Sequence, residues 1–174
     1  PTAIEGLVYN GESQTGVNSG EGYTLTGDTA INAGSHTAIA TLDKNHKWND
    51  TDSLNNREIS WIIEQFDLGY ATIGEVPAQE FTGDPIEPKP TVTVKLIGDV
   101  ETELTLGTDF VYSYENNKNA GIKTAKVTIK AVENAECNFK NSQSIMFTIT
   151  KGIVEKPTAI EGLVYNGESQ TGVN

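Results

Sequence analysis

Along residues 125–130, apolar and polar side chains alternate: Ala125, Val127 and Ile129 interleave with Lys126, Thr128 and Lys130. A period of two is the mark of a half-buried strand, because successive side chains point to opposite faces of a sheet. The stretch at 145–149 alternates in the same way, with Ile145, Phe147 and Ile149 on one face. Two other segments, 37–42 and 59–63, are apolar almost throughout, so taken alone they do not say which side faces in. Nothing reads as a helix. The only helix-compatible stretch, 53–57, lacks an apolar stripe of period 3.6.

The short β-rich runs are separated by NG, SG, TGD and NAG, whose glycine and asparagine supply the positive φ of tight turns. Strands at this spacing predict a sandwich or small barrel. The stretch DPIEPKP at 84–90 has three prolines without ladder donors, which suits an edge strand or a crossing between sheets. FDLGYATIGEVP at 66–77 and KGIVEKP at 151–157 read as junctions between domains.

Residues 1–18 and 157–174 are identical, PTAIEGLVYNGESQTGVN, the second copy standing 156 positions after the first. Chance does not produce a match of this length, so repetition governs the reading of the fold. It leads us to expect a segment cut from a longer repetitive chain. A weaker duplication lies inside the period. VYNGE at 8–12 parallels EFTGD at 80–84, an offset of 72. Residues 20–42 parallel 107–129 at an offset of 87, and 59–63 parallel 145–149 at an offset of 86. The rise from 72 to 87 gives the second unit 15 extra residues.

This alignment resolves the ambiguous segments. Ala38, Ala40 and Leu42 match Ala125, Val127 and Ile129 and are predicted to face inward, with Thr37, Ile39 and Thr41 outside. Ile59, Trp61 and Ile63 match Ile145, Phe147 and Ile149 as a second core row, with Ile62 outside. The predicted organisation is a domain at 1–67, a related domain at 68–153, and at 154–174 a linker followed by the first strand of another domain. That strand is expected to dock on the second domain or to pair with a neighbouring chain.

The net charge of −12 over 174 residues argues against nucleic acid, whose phosphates call for Lys and Arg. It also disfavours an anionic membrane surface. No apolar run approaches the roughly 20 residues of a membrane-spanning helix. One cysteine, Cys137, has no intrachain disulfide partner, and with two histidines it leaves little for a zinc site.

Candidate chemistry is sparse. Asp43, Asn49, Asp50, Asp52 and Asn55 gather hard oxygen ligands in one loop, which makes Asp43, Asp50 and Asp52 the calcium candidates, although the spacing is not that of an EF-hand. His36 and His46 lie in separate elements and read as surface residues. Trp48, just after a strand, either plugs one end of a sandwich or offers a sugar-stacking face, and is the candidate ligand contact. Lys89, Lys126 and Lys130 are poorly placed for an intramolecular isopeptide bond. Paired carboxylates such as Glu101 and Glu103 need no catalytic reading on an acidic surface. Neither a catalytic residue nor a cofactor is expected. The sequon at 49–51 carries little meaning.

GLVYNGESQTGV, GYTLTGDTAINAGSHTAIATL and ISWII together resemble the tandem immunoglobulin-like repeats of long surface proteins in anaerobic Gram-positive bacteria. FTGDPIEPKPTV, LTLGTDFVYSY and NAGIKTAKVTI are similar to a sister repeat that accompanies them. The resemblance implies two all-β, immunoglobulin-like sandwiches in tandem, with a β-grasp-like module as the alternative fold. It further implies an extracellular, wall-associated, non-catalytic stalk or spacer whose partners are neighbouring repeats or identical chains engaged through residues 157–174. The alternative role is an adhesive module for glycan or host protein.

Overall fold

The computed structural model describes residues 1–50, 54–134 and 136–174. They form an all-β protein, in which the single helical element is a 3₁₀ turn at Leu68–Tyr70. No α-helix packs on any sheet among the described residues, which removes the basis of the β-grasp alternative.

In the first half, β1 (Leu7–Val8), β3 (Tyr23–Thr26), β5 (Gly34–Leu42) and β6 (Arg57–Glu64) form a sheet in the order β1-β6-β5-β3. Facing it, β2 (Gln14–Thr15) pairs with β4 (Thr29–Ala30). The strand β7 (Phe66–Asp67) then leads through the 3₁₀ turn to β8 (Thr72–Ile73). The remaining strands are β9 (Gln79–Glu80), β10 (Val92–Ile97), β11 (Val100–Glu103), β12 (Phe110–Glu115), β13 (Gly121–Ala131), β14 (Phe139–Lys140) and β15 (Ser142–Thr150). Of these, β12-β13-β15-β9 make one sheet, β11 and β10 join β8 in another in the order β11-β10-β8, and β14 pairs with β7.

The two halves share a plan. In each, a long antiparallel hairpin carries a short parallel strand on its outer edge: β1 on β6, with Leu7 opposite Ile63, and β9 on β15, with Gln79 opposite Ile149. These pairs are related by the offsets of 72 and 86 read from the sequence. The hairpin registers agree at one end, where Gly34 lies opposite Ile63 and Gly121 opposite Ile149, and differ by two residues past an irregularity between Gly121 and Ala125. Ala38 lies opposite Ile59, while Ala125 lies opposite Phe147 and not Ile145. A slip of two keeps every inward side chain inward, whereas a slip of one would turn the core out.

Nine of the twelve predicted core residues are buried: Ala38, Ala40, Trp61, Ile63, Ala125, Val127, Ile129, Phe147 and Ile149. Leu42, Ile59 and Ile145, at the ends of their rows, are half-buried. Ile39 and Ile62 are exposed, as the alignment requires. Trp61 fills the first core. Its indole N–H donates to the Gly27 carbonyl at 3.1 Å, and its ring lies against Gly16 so closely that a Cβ there would sit 1.8 Å from Cε3. Only glycine fits beneath that ring.

The proline segment is a crossing between sheets, leaving β9 in one and entering β10 in the other. Its backbone is held by side chains instead of a strand ladder. Tyr114 Oη donates to the Pro88 carbonyl at 2.9 Å, and Tyr112 Oη donates to that of Pro90. The two tyrosines are two apart on β12 and so share a face. Asn117 closes the other end, donating from Nδ2 to the Ile86 carbonyl and accepting at its own carbonyl from Ile86 N.

Residues 1–18 are more than a first strand. The Asn10 carboxamide accepts from Glu12 N at 2.9 Å and Gly11 adopts φ +81°, so the chain reverses between β1 and β2. The result is an arm that reaches both layers of the first half. Residues 157–174, expected to dock on the second domain, are exposed throughout. They form one antiparallel bridge, internal to the segment, between Ala159 and Val173.

Candidate functional site: the junction between the halves

The segment 66–77, read as a junction from sequence, is built into the second half. Leu68 is fully buried there, with Val92, Phe110 and Ile129 in the same core cluster. β7 pairs in parallel with β14, Phe66 opposite Phe139. Phe66 N donates to the Asn138 carbonyl at 2.9 Å, continuing that ladder.

Around this strand pair, polar groups of both halves interlock. Asn138 Oδ1 accepts from Ala33 N at 2.8 Å, and Gln65 Nε2 donates to the Cys137 carbonyl at 2.8 Å. Asn141 Nδ2 donates to Asp67 Oδ2 at 2.9 Å, while Gln143 Nε2 reaches the Gly69 carbonyl at 3.0 Å. Lys140 and Glu64 form a looser ion pair at 3.5 Å. Asp67 also accepts from Gly69 N at 2.7 Å, capping the 3₁₀ turn. That bond, the Asn141 amide and the Lys140 ammonium hold its carboxyl below the ordinary 3.8.

The apolar centre of the junction is Tyr9, supplied by the arm. It packs against the first core with Trp61 and Ile63 and against the second with Leu68 and Phe139. Its ring meets Phe139 edge to face, and Phe139 meets Phe66 in the same manner. Burial, reinforced by the Asp109 carboxylate, raises the Tyr9 phenol above its ordinary 10.0. The buried Cys137 thiol lies at the same junction, 3.8 Å from the Asp109 carbonyl. Beside Tyr9, an open cleft of about 520 Å³ runs between residues 9–12 of the arm and Leu96, Ile97, Val100 and Thr102.

The other predicted site residues are dispersed. Trp48 is 8% exposed: its indole N–H donates to the Asn55 carbonyl at 2.8 Å, the Arg57 guanidinium stacks 4.9 Å from its ring, and Tyr23 packs at 5.8 Å. It plugs the end of the first half, and its ring is covered, so it offers no stacking platform. Asp43 accepts from His46 Nδ1 at 2.7 Å and from Asn45 N at 2.8 Å, which lowers its pKa. Asp50 is lowered by its hydrogen bonds from Arg57. Asp52 lies outside the described residues. Asp43 and Asp50 thus serve local turns, and no group of three or more His, Cys, Asp or Glu residues is arranged to hold a metal among the described residues. Lys126 pairs with Glu115 at 2.7 Å, Lys130 with Glu133, and Lys89 is exposed, away from any isopeptide geometry. Glu101 and Glu103 stand exposed on β11, Glu101 opposite Lys95. His36 lies 4.6 Å from the Trp61 ring and within hydrogen-bond distance of the Asn32 carbonyl.

Sequence reasoning missed Tyr9, Asn138 and Phe139 as junction residues. One signal was present. The alignment of VYNGE with EFTGD pairs Tyr9 with Phe81, so an aromatic recurs at the same place in both halves. Phe81 N donates to the Thr150 carbonyl as Tyr9 N donates to that of Glu64. Compared with known proteins, the chain matches no family model, no curated protein and no solved structure.

Proposed function

We propose that this chain is a non-catalytic spacer segment of an extracellular bacterial surface protein, in which related immunoglobulin-like domains follow one another head to tail. The observation that carries this reading is the junction. A shared aromatic cluster, two hydrogen bonds and an ion pair tie the first half to the second. An element whose task is to hold distance needs such fixed joints, because a flexible linker recoils entropically. Phe81, the counterpart of Tyr9, is 40% exposed at the edge of the second half, where a following unit would cover it. From the size of compact domains, one period of two domains extends roughly 60 Å. The acidic surface supports the same reading, since like charges along an array resist its collapse.

Small-angle scattering of the full chain tests this reading. An elongated particle with its halves in one fixed arrangement is expected. A distribution of inter-domain distances as broad as a flexible tether's overturns it. Binding of the chain on a glycan array would replace the spacer reading by the adhesive one, with the cleft beside Tyr9 the first place to look.

A further inference from the structure

We propose that residues 157–174 of one copy of this chain take the place of residues 1–18 in a second copy, joining molecules head to tail by exchange of an identical arm.

The arm is ready-made. Ala159 bridges Val173 as Ala3 bridges Val17. Ile160 N donates to the Gly172 carbonyl at 2.9 Å, as Ile4 N donates to that of Gly16 at 2.8 Å. Gln170 Nε2 reaches the Val164 carbonyl at 2.8 Å, as Gln14 reaches that of Val8 at 3.0 Å. Glu168 N donates to Asn166 Oδ1, repeating the turn at Asn10, and Gly162 and Gly167 repeat the positive φ of Gly6 and Gly11. A segment already in its bound shape loses little conformational freedom on docking.

The free arm displays what the docked arm buries. Val17 is 0% exposed and Val173 57%; Tyr165, the copy of Tyr9, is 91% exposed. Ile160 and Leu163, whose counterparts Ile4 and Leu7 are half-buried, stand in solvent with them. The slot that matches the arm is defined by the β6 edge, by the Asp28 carbonyl that receives Gly16 N at 2.7 Å, and by the Trp61 ring that admits only glycine. Gly172 meets nothing within 4 Å.

Because the two arms are identical, exchange forms and breaks the same contacts, and its balance is set by the entropy of association. The intact chain is therefore monomeric when dilute, and weakening the leading arm alone tips the balance. A head-to-tail contact of this kind extends into rings or open chains, since each added copy brings a free arm.

The test uses the full chain with Gly16→Val, which disables the leading arm against Trp61 and leaves Gly172 intact. Size-exclusion chromatography with light scattering is expected to show dimers and longer oligomers with native Trp61 emission. A synthetic peptide of residues 1–18 should cap these to one chain per peptide. The double variant Gly16→Val/Gly172→Val should lose both the oligomers and the native emission, and Gly172→Val alone should behave as the parent. A monomeric Gly16→Val chain overturns the proposal, whether its emission is native or not. Oligomers that persist in the double variant, or that the peptide leaves unchanged, overturn it as well.

Discussion

Tyr9 and Phe139 lie edge to face across the junction, their ring centroids 5.6 Å apart and their planes at 78°. One comes from the arm that opens the first half and the other from the strand that receives β7. Tyr9→Ala removes the shared contact of two cores at once. A loss of about 2 kcal/mol is expected, below the range for fully buried aromatics because Tyr9 is only half-buried. By calorimetry the parent is expected to unfold in one transition and the variant in two.

Asn138 tests the polar side of the same junction. Its side chain satisfies Ala33 N, so Asn138→Ala leaves that donor without its partner at a cost of about 1–2 kcal/mol. Hydrogen exchange at Ala33 is expected to accelerate, with core amides such as that of Val127 unchanged. Unchanged exchange at Ala33 would show that the bond contributes nothing to the joint.

The tyrosine anchors of the proline crossing make a separable prediction. Tyr112→Phe and Tyr114→Phe each release one proline carbonyl without altering the packed ring. Each should cost about 1 kcal/mol, read from the denaturant midpoint. The double variant should become cleavable by protease within residues 84–90.

Stability should fall on the alkaline side through Tyr9, Tyr112 and Tyr114, whose phenols burial raises above 10.0. A raised folded value means that the unfolded chain loses its protons first. The contribution is complete below pH 10 and is lost as pH rises through the folded values. Phenolate absorbance and loss of near-ultraviolet circular dichroism should then rise together, and Tyr9→Phe should shift this transition to higher pH.

On the acid side the sign is reversed. Asp43, Asp50 and Asp67 are lowered from 3.8 by the hydrogen bonds they accept. Their contribution is present above that value and lost as pH falls through the folded ones. Asp67→Asn keeps the side-chain volume and removes the charge, so the neutral-pH denaturant midpoint should fall, and the difference from the parent should close as pH drops through the folded Asp67 value.

The sequence made the inward rows legible because a duplication supplied two views of each strand. Ile39 and Ile62 look like core in their own segment and are assigned to the surface only by their partners Lys126 and Thr148. The parallel edge strands were half visible. The offsets of 72 and 86 align β1 with β9 and β6 with β15, but nothing in two-residue strands announces their pairing. The junction was the least visible. Asn138 and Ala33 are 105 positions apart, and such contacts follow from how finished layers meet, which local periodicity does not encode. Trp48 shows a further limit: whether a tryptophan plugs or displays depended on Arg57 and Tyr23 closing over it.

The parallel edge strands bear on how the protein resists being pulled. Tension on the chain draws β1 backwards from its start and β6 forwards from its end, and because the two run the same way their hydrogen bonds are loaded in shear. They then yield together and not one at a time, as an unzipping hairpin does. β9 on β15 repeats the arrangement, so two shear clamps stand in series along one polypeptide, and resistance to extension becomes a matter of unfolding rate more than of equilibrium stability.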